Sequence, residues 1–314
     1  MRWVNVFLGA GALWLNYLAI RNFSRGEVEV SLISLSLAAF LPQYLHVSAS
    51  FSNDAIANLA GAGLFWGLSK EAYWGKDWRY AMGLCLGAMV FPFVSKLTVL
   101  GVSLGVILLV VRGQQKTWNW KLLGAISFAG LILVGGVWAL SPIRFAEGIE
   151  GLSWRVVGVR PETFQWEAYR DQLDQVLWSF WGIVGWLSVS LPRVHMEILS
   201  WLALLGGLRS VWELRPNPSG EISYLGKPGA LWLLFGLSLM AVARNALLTA
   251  YSQGRFLYPA LGVIVFLVAG GWYRLLPTNS RRYLIYVVIA ILLYSNLVLW
   301  LTGIIPFYFQ PFLD

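Results

Sequence analysis

Between Tyr80 and Val111 the chain carries a single charged residue, Lys96. As one helix this run would be about 50 Å long at ~1.5 Å per residue, against a bilayer core of roughly 30 Å. It therefore reads as two short spans that meet near Lys96. Eight further apolar stretches complete the pattern, and the predicted spans are 3–20, 30–48, 54–68, 79–95, 97–111, 122–140, 193–211, 229–249, 256–273 and 283–304. Composition agrees. The chain is 58% hydrophobic and 12% charged, where a soluble domain has roughly 25% charged residues. Water is not its main solvent. Eighteen Trp and thirteen Tyr suit the boundary where hydrocarbon meets headgroups. The fold class is all-α: a polytopic membrane bundle of about ten helices, forming one integral membrane domain over 1–314. Disorder, a secreted disulfide scaffold and a cytosolic enzyme are excluded. Cys85, the one cysteine, can form no internal disulfide.

Charge sets the sidedness. With 21–29 on the cytoplasmic side, the cytoplasmic segments become 21–29, 69–79, 112–121, 209–228 and 274–282. They hold 14 of the 23 basic residues but 6 of the 15 acids, as the positive-inside rule requires. Segments 112–121 and 274–282 each carry three basic residues and no acid. Both termini then lie outside, and the expected location is a bacterial inner membrane. The net charge of +8 reflects cytoplasmic loops, and no nucleic-acid partner is expected.

One long outer loop remains, 141–192. Within it Trp166, Tyr169, Leu173, Val176, Leu177 and Phe180 recur at spacings of three and four, while Gln165, Glu167, Arg170, Asp171 and Asp174 fill the other face. That periodicity predicts an amphipathic helix over 162–180 lying along the outer interface, with Trp166, Tyr169 and Leu173 facing lipid or a cavity roof. The run SFWGIVGWLSVSLP (179–192) reads as a dip or interfacial elbow.

An ionisable group within a span is costly, so each is a candidate functional residue. Asp54 opens the third span beside Asn53, Lys96 sits at the outer turn, Arg244 lies near the outer end of the eighth span and Arg255 starts the ninth. His46 lies near the outer end of the second. Three cations and one carboxylate on one face suggest an anion site, most simply for phosphate. Each also has a structural reading. Asp54 can complement a helix dipole, Lys96 and Arg244 can snorkel, Arg255 can anchor an interface, and His46 can be a packing histidine. Glu197 is explained by a local ion pair with Arg193.

No Walker loop, GxSxG, HExxH or CxxC occurs, and two histidines and one cysteine make a zinc site implausible. No metal or cofactor is expected. Four runs, in order, carry a likeness: PQYLHVSASFSNDAIANLAG, FPFVSKLTVLG, SFWGIVGWLSVSLP and QGRFLYPALGVIVFLVAGG. Together they resemble membrane glycosyltransferases of the GT-C superfamily, nearest to a bacterial group of uncharacterised polytopic proteins within it. The resemblance implies transfer of a sugar from a polyprenyl-phosphate donor on the extracytoplasmic face. It implies that Lys96 and Arg255 contact the donor phosphate, and that Asp54 and Asn53 line the same cavity. Membrane lipid and the lipid-linked donor are the expected partners.

The chain departs from that family at its start. The family's catalytic acid lies in a first outer loop, after an initial helix, whereas parity places Met1 already outside. The catalytic residue is therefore unassigned. The expectations are that an upstream-encoded segment supplies the loop, that the base comes from elsewhere, or that the chain is inactive. In the first case it would bind donor and transfer little alone. Two rival readings stand beside this one. An O-antigen-type polymerase or ligase would need outer arginines for a lipid pyrophosphate. A transporter or scaffold subunit would show inverted repeats and midplane charges.

Overall fold

A computed structural model describes residues 2–50, 52–70, 78–95, 97–113, 166–184, 188–212, 228–248 and 253–309. The predicted span 122–140, the outer loop through residue 165 with the first four residues of the predicted 162–180 helix, the surroundings of the Trp166 side chain, and Lys96 lie outside the described residues. What is described is almost wholly helical. The chain runs through α1 (Arg2–Phe23), α2 (Val28–Ala39), α3 (Pro42–Ala49), α4 (Asp54–Ser69) and α5 (Trp78–Val94). A 3₁₀ turn, Leu97–Val99, leads into α6 (Leu100–Gly113). After α7 (Trp166–Gly182), strands β1 (Ile183–Val184) and β2 (Val189–Ser190) pair antiparallel. Then come α8 (Arg193–Trp212), α9 (Pro228–Leu248), a 3₁₀ segment Gly254–Ala260, α10 (Leu261–Leu275), α11 (Thr278–Leu299), a π turn Trp300–Ile304 and α12 (Ile305–Phe309).

Among the described residues, four helical stretches are long and apolar enough to cross a membrane: Arg2–Phe23, Gly229–Ala246, Gly254–Leu275 and Thr278–Tyr308. A fifth joins them if the bent pair α2 and α3 counts as one span. The other predicted spans within the described residues are helices, but shorter or more polar. α4, α5 and α6 have 16, 17 and 14 residues, about 21–26 Å at ~1.5 Å each. α8 carries Arg193, His195, Glu197 and Arg209 along its length.

The predicted span 30–48 is not one straight helix. α2 and α3 meet at 62°. Pro42 has no N–H to continue the ladder and pushes the preceding residue out of the helical region; Leu41 is extended, at φ −63° and ψ 117°. The Phe40 carbonyl at the break accepts from Asn296 Nδ2 of α11 at 2.8 Å, so the interruption is satisfied from a neighbouring helix.

Helix contacts rest on small residues. A Cβ at Gly271 of α10 would strike the backbone of Gly206 in α8, and one at Gly61 of α4 would strike the backbone of Pro259. Such close backbone approach is how helices pack where lipid supplies no hydrophobic drive. One end of the bundle gathers 21–29, 69–70 and 274–282: Asn22 Nδ2 donates to Ser69 Oγ at 2.9 Å, and Tyr273 lies in electrostatic reach of Glu29 and Arg281. The other end gathers 46–50, 52–54, 179–184 and 253–260, as the alternation of spans requires.

The predicted amphipathic helix is α7. Its polar face, with Arg170, Asp171 and Asp174, is exposed, while Val176 and Phe180 are buried and Tyr169 and Leu173 half-buried. The helix runs on to Gly182, and the expected elbow is a tight β pairing: Ile183 opposite Ser190 and Val184 opposite Val189. Leu177, on the apolar stripe, is 54% exposed, so that stripe only partly packs inward.

Candidate functional site

Asp54 is placed by its own local sequence. At the first residue of α4, its backbone N–H donates to Ser52 Oγ at 3.1 Å, and the Ser52 hydroxyl donates to Asp54 Oδ2 at 2.8 Å. The Ser52 loop is tied down from a distance. Asn5 Nδ2 of α1 donates to the carbonyls of Ser50 and Ser52 at 2.6 and 2.9 Å. Asp54 ends up 3% exposed.

Opposite it lies the 3₁₀ segment Gly254–Ala260. Seven residues of 3₁₀ helix are uncommon, and Pro259 inside the segment explains why it does not close as an α-helix. Three contacts fix its backbone. The Gly254 N–H donates to Ser179 Oγ at 2.6 Å, with no space for a Cβ against the backbone of Phe180. The Tyr258 hydroxyl donates to the Phe180 carbonyl at 2.8 Å. Pro259 rests on Gly61. Arg255 is thereby presented to Asp54, its Nε 3.4 Å from Oδ2. The contact is an ion pair by distance rather than an aligned hydrogen bond, and both side chains are largely withdrawn from solvent, at 19% and 5% exposure.

The remaining candidates fall around this pair to different degrees. His46 is half-buried on α3 and within electrostatic reach of Arg255. Asn53 is exposed at the start of α4. Lys96 lies outside the described residues, but the Leu97–Val99 turn that follows it packs against both α4 and the 3₁₀ segment. Arg244 is exposed on α9, a helix that packs against that segment and that turn. Segments adjoining all four charged candidates therefore converge, while direct side-chain contact is described for Asp54 and Arg255. Glu197, by contrast, makes the local pair expected of it, 2.9 Å from Arg193 Nε on the protein surface.

Sequence reasoning missed Asn5, Ser52 and Asn58. Asn58 is one turn deeper than Asp54 on α4, 2% exposed, and neither polar atom of its amide has a hydrogen-bond partner among the described residues. The only signal was spacing, since Asp54, Asn58 and Gly61 share one stripe of α4. Among the described residues, no three His, Cys, Asp or Glu side chains cluster closely enough to hold a metal ion.

Beside the site runs an apolar cavity of about 460 Å³ between α7, α8, α9 and α10. At one end it is lined by Phe180, Trp181 and Leu257, and at the other by Val211 and Trp232. Leu204 and Leu208 line its flank and are 47% and 60% exposed, so it opens sideways. Trp181 Nε1 donates to Ser200 Oγ at 2.7 Å, leaving little polarity inside. Leu257, on the 3₁₀ segment that also carries Arg255, belongs to its lining.

No family model and no curated protein matches the chain. The geometry and chemistry of the site carry the functional reading.

Proposed function

We propose that the chain is an integral membrane protein of about ten spans in a bacterial inner membrane, with both termini extracytoplasmic. We propose further that it binds a polyprenyl-phosphate-linked sugar as a GT-C-type glycosyltransferase does. One observation carries the reading: a sideways-open apolar groove of about 460 Å³ ends beside the segment that bears Arg255. A prenyl chain needs an apolar channel reachable from lipid, and its phosphate needs a cation where the channel ends. In a site shielded from water, charge-assisted hydrogen bonds to phosphate are strong. Arg255 would grip two oxygens and Lys96 one. The same cations would stabilise charge developing on the leaving phosphate during transfer. Arg244, His46, Asp54 and Asn53 would line the cavity around the reacting groups.

The test is binding of undecaprenyl phosphate to the purified full chain in lipid nanodiscs. The Lys96→Ala, Arg255→Ala double variant should lose most of the binding. Lys70→Ala should not, because Lys70 stacks on Trp66, 3.8 Å from its ring centre, at the opposite end of the bundle. Unchanged binding in the double variant would remove the phosphate site.

A further inference from the structure

We infer that Asp54 is a positioning residue, which with Ser52 holds the side chain of Arg255 on the 3₁₀ segment whose Leu257 lines the apolar groove. The inference rests on the reading above that Arg255 meets a phosphate. It starts from a division of labour among the contacts. Gly254 on Ser179, Tyr258 on Phe180 and Pro259 on Gly61 all fix the backbone or neighbours of Arg255. Among the described residues, the oppositely charged group that reaches its guanidinium is Asp54 Oδ2, and the Phe256 ring centre lies 6.0 Å from it. An arginine side chain loses much rotamer freedom when it is held. A carboxylate that orders it beforehand lowers what phosphate binding must supply.

Asp54 is itself held. Ser52 donates to the same oxygen that faces Arg255, and Asn5 ties the Ser52 loop to α1. A general base must come within hydrogen-bond reach of the proton it takes. A 3% exposed carboxylate with its facing oxygen already engaged is arranged to hold a neighbour, not to meet a diffusing acceptor.

A positioning role and simple charge repulsion predict opposite signs for the loss of Asp54. Removing a negative charge beside a phosphate site should tighten anion binding by Coulomb's law alone. Loss of a positioning group should weaken it. The experiment measures undecaprenyl phosphate and the uncharged undecaprenol on the full chain in nanodiscs. The second probe fills the groove without needing Arg255. Asp54→Asn should weaken undecaprenyl phosphate by about tenfold, the scale of one charge-assisted contact, and leave undecaprenol unchanged. Ser52→Ala should show the same selectivity at about threefold, the scale of a neutral hydrogen bond. Asp54→Glu should recover part of the loss.

Equal or tighter phosphate binding by Asp54→Asn, with Arg255→Ala still weak, would overturn the positioning role and leave the phosphate site standing. Equal losses for both probes would assign Asp54 to the fold alone and overturn it too. Should Asp54→Asn not fold, wild-type behaviour of Ser52→Ala would overturn it. No preference of the unmodified protein for the phosphate over undecaprenol would instead remove the underlying site.

Discussion

The two stretches that flank the turn at Pro277 are both apolar enough to cross a membrane, yet they have opposite surroundings. In Gly254–Leu275, 83% of the best apolar window is buried inside the protein; in Thr278–Tyr308, the more hydropathic of the two, 22% is. In water the order would be reversed, because the most apolar helix would be driven inside. In lipid, apolarity confers no preference for the interior, and close packing decides instead. Gly254–Leu275 carries the means for it. A Cβ at Gly262 would meet Asn16 and Phe65, and one at Gly271 would meet the backbone of Gly206. The second stretch turns Tyr286, Leu293 and Leu297 outward, at 69%, 50% and 55% exposure. Midway along it, Asn296 reaches the break between α2 and α3. The buried helix also begins with the 3₁₀ segment and Arg255, so the candidate site belongs to the stretch that packs.

The largest expected effect is all-or-none and concerns the turn joining the two stretches. Residues 274–282 should be cytoplasmic and the β1–β2 turn extracytoplasmic. A cysteine placed at the exposed Asn279 should resist a membrane-impermeant thiol reagent in intact cells, whereas one at the exposed Ser188 should react fully. The native Cys85 is buried and should contribute no background. Labelling at Asn279 with protection at Ser188 would invert the sidedness and move Arg255 to the cytoplasmic end.

Next in size is packing. Gly271→Leu should destabilise the protein by about 3 kcal/mol or more, because the added side chain meets helix backbone that cannot give way. Leu293→Ala, on the outward face of α11, should stay within about 0.5 kcal/mol. Unfolding midpoints of the two variants in the same nanodiscs compare them directly. Similar shifts would mean that α11 is covered by protein in the native assembly, and the contrast between the stretches would fail.

Much of this architecture was legible from apolar run length. The α-helices of the described residues overlap predicted spans or the predicted amphipathic segment, except α12 (Ile305–Phe309), which follows the last predicted span. The split of the Tyr80–Val111 run near Lys96 also appears, as the end of α5 and the Leu97–Val99 turn. Pro42 was visible but its effect was not read, because apolarity continues unbroken through Leu41 while the backbone turns. At the site, Asp54 and Arg255 stood out as charges in apolar surroundings, which is a local property. Their pairing, two hundred residues apart, is not. Asn5 hides for the same reason: it lies in an apolar run, and its partners are carbonyls 45 and 47 residues away. The groove was invisible because its walls are ordinary Leu, Val and aromatic residues, distinguished only by which helices face one another.

The smallest expected effect compares the two ion pairs, and it sharpens the contrast between packed and exposed surfaces. Asp54–Arg255 joins α4 to the buried stretch, with side chains 5% and 19% exposed. Arg193–Glu197 is a single-turn pair on α8, with side chains 77% and 42% exposed. Geometry alone would favour the second, which is shorter at 2.9 Å against 3.4 Å. Environment argues the other way. An exposed pair spaced four apart on a helix is screened and typically contributes about 0.3–0.5 kcal/mol. A withdrawn pair is screened little, and losing one partner strands the other charge. In a double-mutant cycle on unfolding free energy, Asp54→Asn with Arg255→Gln should therefore couple by about 2 kcal/mol, within the range for contacting residues in one network. Arg193→Gln with Glu197→Gln should couple by about 0.3 kcal/mol. Raising the salt concentration should erase the smaller coupling and leave most of the larger one. Equal couplings, or equal sensitivity to salt, would show that water reaches Asp54 and Arg255 as freely as it reaches the surface of α8.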